Sequence, residues 1–137
     1  MALTHLLDTS VVSRLGMTEV RVVVDPLAHA GRLGRAGITD LEFGYGSRNA
    51  RQWDQDMADL SVFELVETSA DHVQRARQVQ RLLASRSQRG RKVPDLLIAA
   101  AAEAGRLTLL HYDNDFELIA RVTGQTCQWV VPAGTID

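Results

Sequence analysis

The residues that could do chemistry in this chain are acidic. The densest group lies in Leu107-Thr108-Leu109-Leu110-His111-Tyr112-Asp113-Asn114-Asp115-Phe116, where an apolar run breaks into D-x-D. A short apolar run followed by Asp and by apolar residues at helical spacing reads as a buried strand handing over to a helix. Asp113 therefore sits at a strand end, and in open parallel sheets the crevice beyond those ends is where ligands bind. Leu3 to Leu7 repeats the pattern, ending at Asp8-Thr9-Ser10. Two further acids stand at helix openings: Glu42, after Thr39, and Asp95, after Pro94.

Each acid also has a purely structural role open to it. Asp8 could cap a short helix, a contact worth about 1 kcal/mol. Thr39 and Glu42 have the T-x-x-E spacing of a capping box, and Asp95 would be a favourable charge on a helix dipole. Spacing alone does not choose between caps and a cluster. If the four converge, they repel one another and are rarely kept ionised without a cation. An all-oxygen site of that kind selects Mg2+ or Mn2+ over zinc.

Other chemistries lack their residues. Cys127 is the single cysteine, and no Cys or His pair has zinc-ligand spacing; His5, His29, His72 and His111 are read as surface or satisfied histidines. There is no Walker loop, no G-x-S-x-G, and no D-x-D at the first strand. Gly31, Gly34 and Gly37, expected in a loop, do not make a dinucleotide fingerprint.

The elements that must position the acids are read as alternating strands and helices. Val11 to Leu15 forms a helical turn ending at Gly16, and Glu19 to Ala30 a helix with Pro26 as kink or start. Arg35 to Ile38 is a short strand, and Asn49 to Leu60 a helix with Trp53, Met57 and Leu60 on its core side. Phe63 to Val66 is a strand. Ser69 caps a long helix with Val73, Ala76, Val79 or Gln80, and Leu83 along one side. The helix from Pro94 is apolar most of the way round, so it is expected to be central and buried. Gly105 ends it, Asp113 to Val122 is the next helix, closed by Gly124, and Cys127 to Val131 is a last strand with Trp129 in the core. From Pro132 onward the chain is tail. This alternation predicts an α/β fold with a mainly parallel central sheet flanked by helices.

The 137 residues are the size of one domain, expected to span 1–137. A hydrophobic fraction of 45% and a charged fraction of 23% exclude wholesale disorder. All but one of the 15 basic residues are Arg, which suits phosphate recognition but also follows from a GC-rich genome. Arg86, Arg89, Arg91 and Lys92 form the best candidate patch for contacting nucleic-acid phosphates. A lone cysteine fits a reducing compartment, and no apolar run reaches the roughly 18 residues of a membrane span, so a cytoplasmic protein is expected.

Four motifs, Leu6-Leu7-Asp8-Thr9-Ser10-Val11, Thr39-x-x-Glu42 with Gly44 following, Pro94-Asp95-x-x-Ile98-Ala99-Ala100, and His111-x-Asp113-x-Asp115-Phe116, occur in this order. On these residues the chain resembles the PIN domain over nearly its whole length, most closely the VapC-type ribonuclease toxins of bacterial toxin-antitoxin pairs. The resemblance implies a PIN-like fold in which Asp8, Glu42, Asp95 and Asp113 hold Mg2+, with Mn2+ possible. Asp115 would be an additional ligand or supporting acid, and Thr9 would orient Asp8 or a water on the metal. Tyr112 departs from the pattern, since many members carry a small hydroxyl residue there. The resemblance also implies RNA as substrate, a homodimer, and a VapB-type antitoxin whose C-terminal segment lies over the groove. A cation at such a site makes water nucleophilic near neutral pH. Two competing readings keep part of this: a PIN-like binding module without turnover, and a metal-dependent phosphatase acting on small molecules.

Overall fold

In a computed structural model, which describes residues 2–88 and 92–137, the alternation appears as β1 (His5–Leu7), α1 (Thr9–Val12), α2 (Thr18–His29), β2 (Leu33–Ala36), α3 (Gly37–Tyr45), α4 (Ala50–Leu60), β3 (Glu64–Val66), α5 (Ala70–Ser85), α6 (Val93–Ala104), β4 (Thr108–His111), α7 (Asp115–Thr123) and β5 (Cys127–Trp129). The five strands make one sheet in the order β3-β2-β1-β4-β5. Every pairing is parallel. From β1 the chain steps to β2 and β3 on one side, then crosses to β4 and β5 on the other. The order therefore reverses between β1 and β4, the point where ligands bind in open parallel sheets.

Register at that point is tight: Leu6 faces Leu109, Leu7 faces Leu110, and the Asp8 N–H donates to the Leu110 carbonyl at 2.9 Å. Side chains alternate along a strand, so Leu6 and Leu109 enter one core with Ala76, Leu83, Ile98 and Phe116. Leu7 and Leu110 enter the opposite core with Val11, Val20, Val24 and Leu60. Both sheet faces are covered, which explains the uninterrupted apolar character of β1 and β4. α6 is buried along most of its length, as its composition requires.

Several expectations shift. The strand expected at Arg35–Ile38 lies at Leu33–Ala36, and α3 begins at Gly37. Gly34 is inside that strand and not in a loop. A Cβ there would lie 2.8 Å from Leu3 Cδ1, 3.1 Å from Val66 Cγ2 and 3.2 Å from the Glu64 carbonyl, so close approach of β3 demands glycine. α3 is capped by Ala36 without a side-chain bond, and Thr39 is buried within the helix, so the Thr39–Glu42 capping box does not form. Pro26 does not start α2; it lies inside the helix, near its end. Trp53 is 47% exposed and does not belong to the core; its indole instead covers Gly44, where a Cβ would lie 2.7 Å from Nε1. Val73 is also exposed, while Ala76, Val79 and Leu83 are buried. Trp129 is half-buried, with Nε1 donating to Glu117 Oε1 at 2.8 Å. Helix α7 starts at Asp115, two residues later than expected, and Gly124 ends it in the left-handed region at φ +74°. The tail beyond Pro132 folds back: the Tyr112 hydroxyl donates to the Ile136 carbonyl at 2.7 Å and accepts from the Gly134 N–H at 3.0 Å. Among the described residues no helix is long and apolar enough to cross a membrane.

Candidate metal centre

Asp8 leaves β1 with extended backbone and caps α1, its Oδ2 accepting from the Ser10 N–H at 2.9 Å. The cap uses only one oxygen. Oδ1 is buried with no hydrogen-bond partner among the described residues. Asp95 occupies the third position of α6, after Pro94, and is 4% exposed. Its Oδ2 is likewise enclosed and unpartnered. For Asp8, capping and clustering are thus not alternatives: the cap takes one oxygen and leaves the other in the crevice.

Asp113 leaves β4, and its Oδ1 accepts from the Asp115 N–H at 2.9 Å. One carboxylate oxygen from each of Asp95, Asp113 and Asp115 lies within 4.8 Å of the others. Glu42 projects from the second turn of α3, where the Thr9 hydroxyl donates to its Oε1 at 2.7 Å. The Thr9 hydroxyl thus serves Glu42, where the resemblance implied that it would orient Asp8 or a water on the metal; Thr39 Oγ1 lies 3.2 Å from it. Asp8, Glu42, Asp95 and Asp113 all line one open cleft of about 280 Å³.

Electrostatics reflect this crowding. Burial, then the neighbouring charges of Asp8, Asp113 and Asp115, push the Asp95 carboxyl up to about 7, with Lys92 pulling the other way. Burial also raises Asp8, as does Glu42, against hydrogen bonds from Ser10 that lower it. Desolvated carboxylates that face one another disfavour full ionisation unless a positive charge joins them. The donor set is all oxygen, which fits a hard divalent cation and not zinc.

One sequence expectation about another group changes. His111 is neither at the surface nor satisfied: it is fully buried, and its Nε2 has no partner among the described residues. Its Nδ1 accepts from the Asp113 N–H at 3.2 Å, so Nε2 carries the proton in the neutral ring. Burial holds it near pKa 4, well below an ordinary histidine, against the acids Glu117 and Asp113. Cys127 is pushed up to about 11 by burial, then by Glu117, which leaves no thiolate for catalysis near neutral pH.

The expected basic patch divides. Lys92 lines the cleft. Arg86 is an exposed residue that caps the C-terminus of α5 and does not line it. Arg89 and Arg91 lie outside the described residues. Sequence reasoning missed Arg14, which lines the cleft together with Ser10, Ser13 and Tyr112. Nothing in local spacing marks an Arg six positions after Asp8, and only the turn after α1 brings it back.

A doubly covered parallel sheet with convergent carboxylates at its switch point defines a class of α/β proteins equipped to hold a hard cation beside an open cleft. The chain belongs to the PIN-domain family, and within it to the VapC group: the family model for the PIN domain matches residues 5–122. It is 62% identical over 137 residues to Ribonuclease VapC51 of Mycobacterium tuberculosis, covering 100% of both chains. It is 40% identical over 141 residues to Ribonuclease VapC21 of the same species, covering 98% of this chain and 99% of that one. The fold matches the crystal structure of DNA-bound VapBC from Salmonella typhimurium with a TM-score of 0.78 at 19% identity, over 94% of this chain and 99% of that chain.

Proposed function

We propose that this chain is a metal-dependent endoribonuclease, the toxin of a VapBC-type pair, acting in the cytoplasm. The observation that carries it is the pair of buried, unpartnered oxygens, Asp8 Oδ1 and Asp95 Oδ2, in a cleft shared with Glu42 and Asp113. Burying a charged oxygen without a partner is costly, and a cation shared by these carboxylates offsets that cost.

In this reading Asp8, Glu42, Asp95 and Asp113 hold Mg2+ or Mn2+, with Asp115 completing the set. A divalent cation bound there supplies the Lewis acidity that makes water nucleophilic near neutral pH and offsets charge on a phosphodiester. The chain's own residues do the rest. Thr9 fixes the rotamer of Glu42 through its hydroxyl, and Ser10 fixes that of Asp8 through its N–H. Lys92 at the mouth of α6 attracts the phosphate backbone toward a cleft that would otherwise repel it. The openness of the cleft suits a chain that passes across the site better than a small metabolite enclosed in it. The names of the relatives, ribonucleases of the VapC type, support RNA as substrate. Solved complexes of the VapBC type support a VapB-type antitoxin as partner; the working form in this reading is a homodimer.

The test is incubation of the purified protein with total RNA, with Mg2+ or Mn2+ and with EDTA. Fragments are expected only with metal, and Asp8→Asn should reduce their rate by at least about a hundredfold, the scale of losing one electrostatic contact to the reacting group. Cleavage that persists in EDTA, or in Asp8→Asn at the wild-type rate, would overturn the reading.

A further inference from the structure

Beside the acidic cleft lies a second pocket of about 290 Å³ bounded by Ser13, Gly16, Met17 and Asp137, and the one residue besides Ser13 that lines both is Arg14. Its guanidinium is held from three sides. Nη1 donates to the Ser10 carbonyl at 2.7 Å, Nε donates to the main-chain oxygen of Asp137 at 3.2 Å, and Cζ lies over the Tyr112 ring, 4.9 Å from its centre. Tyr112 is itself fixed, because its N–H donates to Ser10 Oγ at 2.8 Å and its hydroxyl is tied to Ile136 and Gly134. Neither of the side-chain ion pairs among the described residues, Arg35–Asp40 and Arg75–Glu103, involves Arg14. Nη2 makes no hydrogen bond among the described residues, so the fork keeps donors for a ligand.

A guanidinium held over an aromatic face and anchored through main-chain oxygens is a pre-oriented fork for a phosphate, since little rotamer freedom remains to be lost on binding. We propose that Arg14 grips a phosphate of the RNA flanking the scissile one, and that the pocket beyond it seats the nucleotide attached to that phosphate. The assignment rests on the nuclease reading above. Lys92 enters the cleft from the mouth of α6 and Arg14 from the turn after α1, so the strand is held by cations from two different elements while the acids between them serve the metal. Tyr112, together with the segment Gly134–Asp137, is a positioning device for Arg14. Asp137 adds an acceptor to the pocket for a ribose hydroxyl or a base amine.

The experiment is fluorescence anisotropy with a labelled 12-nucleotide single-stranded RNA and the full chain, with Ca2+ replacing Mg2+, across 50 to 300 mM KCl. Arg14→Gln is expected to weaken binding about tenfold at 0.1 M salt and to flatten the slope of log Kd against log salt by about 0.7, the share of one phosphate contact on a single strand. Arg14→Lys, which keeps the charge but loses the fork, should restore the slope while binding about threefold more weakly than wild type. Melting curves of each variant show whether the fold is intact, and Arg14→Lys keeps the test decisive if Arg14→Gln unfolds. A wild-type slope and affinity in Arg14→Gln, or, where that variant unfolds, wild-type affinity in Arg14→Lys, would overturn this assignment alone. Wild-type protein that neither binds nor cleaves RNA with any divalent metal would overturn the nuclease reading, and this assignment with it.

Discussion

Asp95 and His111 titrate in opposite senses over the same pH range, and that opposition is testable. Asp95 has a folded pKa of about 7 against an ordinary 3.8, so in the metal-free protein it favours folding at low pH and loses that contribution as pH rises toward 7. His111 has a folded pKa of about 4 against an ordinary 6.5, so it favours folding above 6.5 and loses that contribution as pH falls toward 4. The two largely offset one another between about pH 4 and 6.5. Asp95→Asn removes one side of the balance. In EDTA its melting temperature should climb with pH through this window more steeply than that of wild type, and should exceed wild type at pH 7.5. Parallel profiles in differential scanning calorimetry would mean that Asp95 is not held near neutrality by its surroundings.

At the level of elements, the central strands bring the acids together because β1 and β4 are neighbours in register, and β2 can pack closely only because Gly34 has no side chain. Gly34→Val would raise strand propensity yet drive a branched side chain against Val66 and the Glu64 carbonyl. Overpacking of this kind costs about 1–3 kcal/mol, so the urea midpoint should fall, and an unchanged midpoint would show that β3 can move away freely. The helices were readable where pattern and packing agree, as in α6, whose apolar circumference required burial. They were misread where a residue's partner is remote. Thr39 matches a capping box in sequence, but β2 ends two residues earlier than supposed, and the hydroxyl turns to Thr9 across 30 positions instead. Trp53 has the spacing of a core residue, but at its end of α4 the indole meets Gly44 and solvent, while Leu60 at the other end enters the core.

For the whole molecule, the decisive property is a cluster of carboxylates that the fold assembles against their mutual repulsion. A cation that binds only the folded state stabilises it by mass action, about 2.7 kcal/mol at a concentration a hundredfold above Kd. Thermal melts should therefore shift upward with Mg2+ or Mn2+, less so for Asp95→Asn, whereas a flat response in wild type would refute metal binding at this site. The order of strands and helices, the buried character of α6 and the four acids at element ends were determined by sequence, because period, apolar runs and turn residues act over a few positions. What tertiary structure decided is the convergence itself: which oxygens of Asp8 and Asp95 stay buried and unpartnered, that Thr9 serves Glu42, that His111 is sealed beneath Asp113, and that Arg14 lies on the cleft wall against Tyr112. Those depend on contacts between residues as far as 123 positions apart, and no local spacing encodes a distance that only the folded sheet defines.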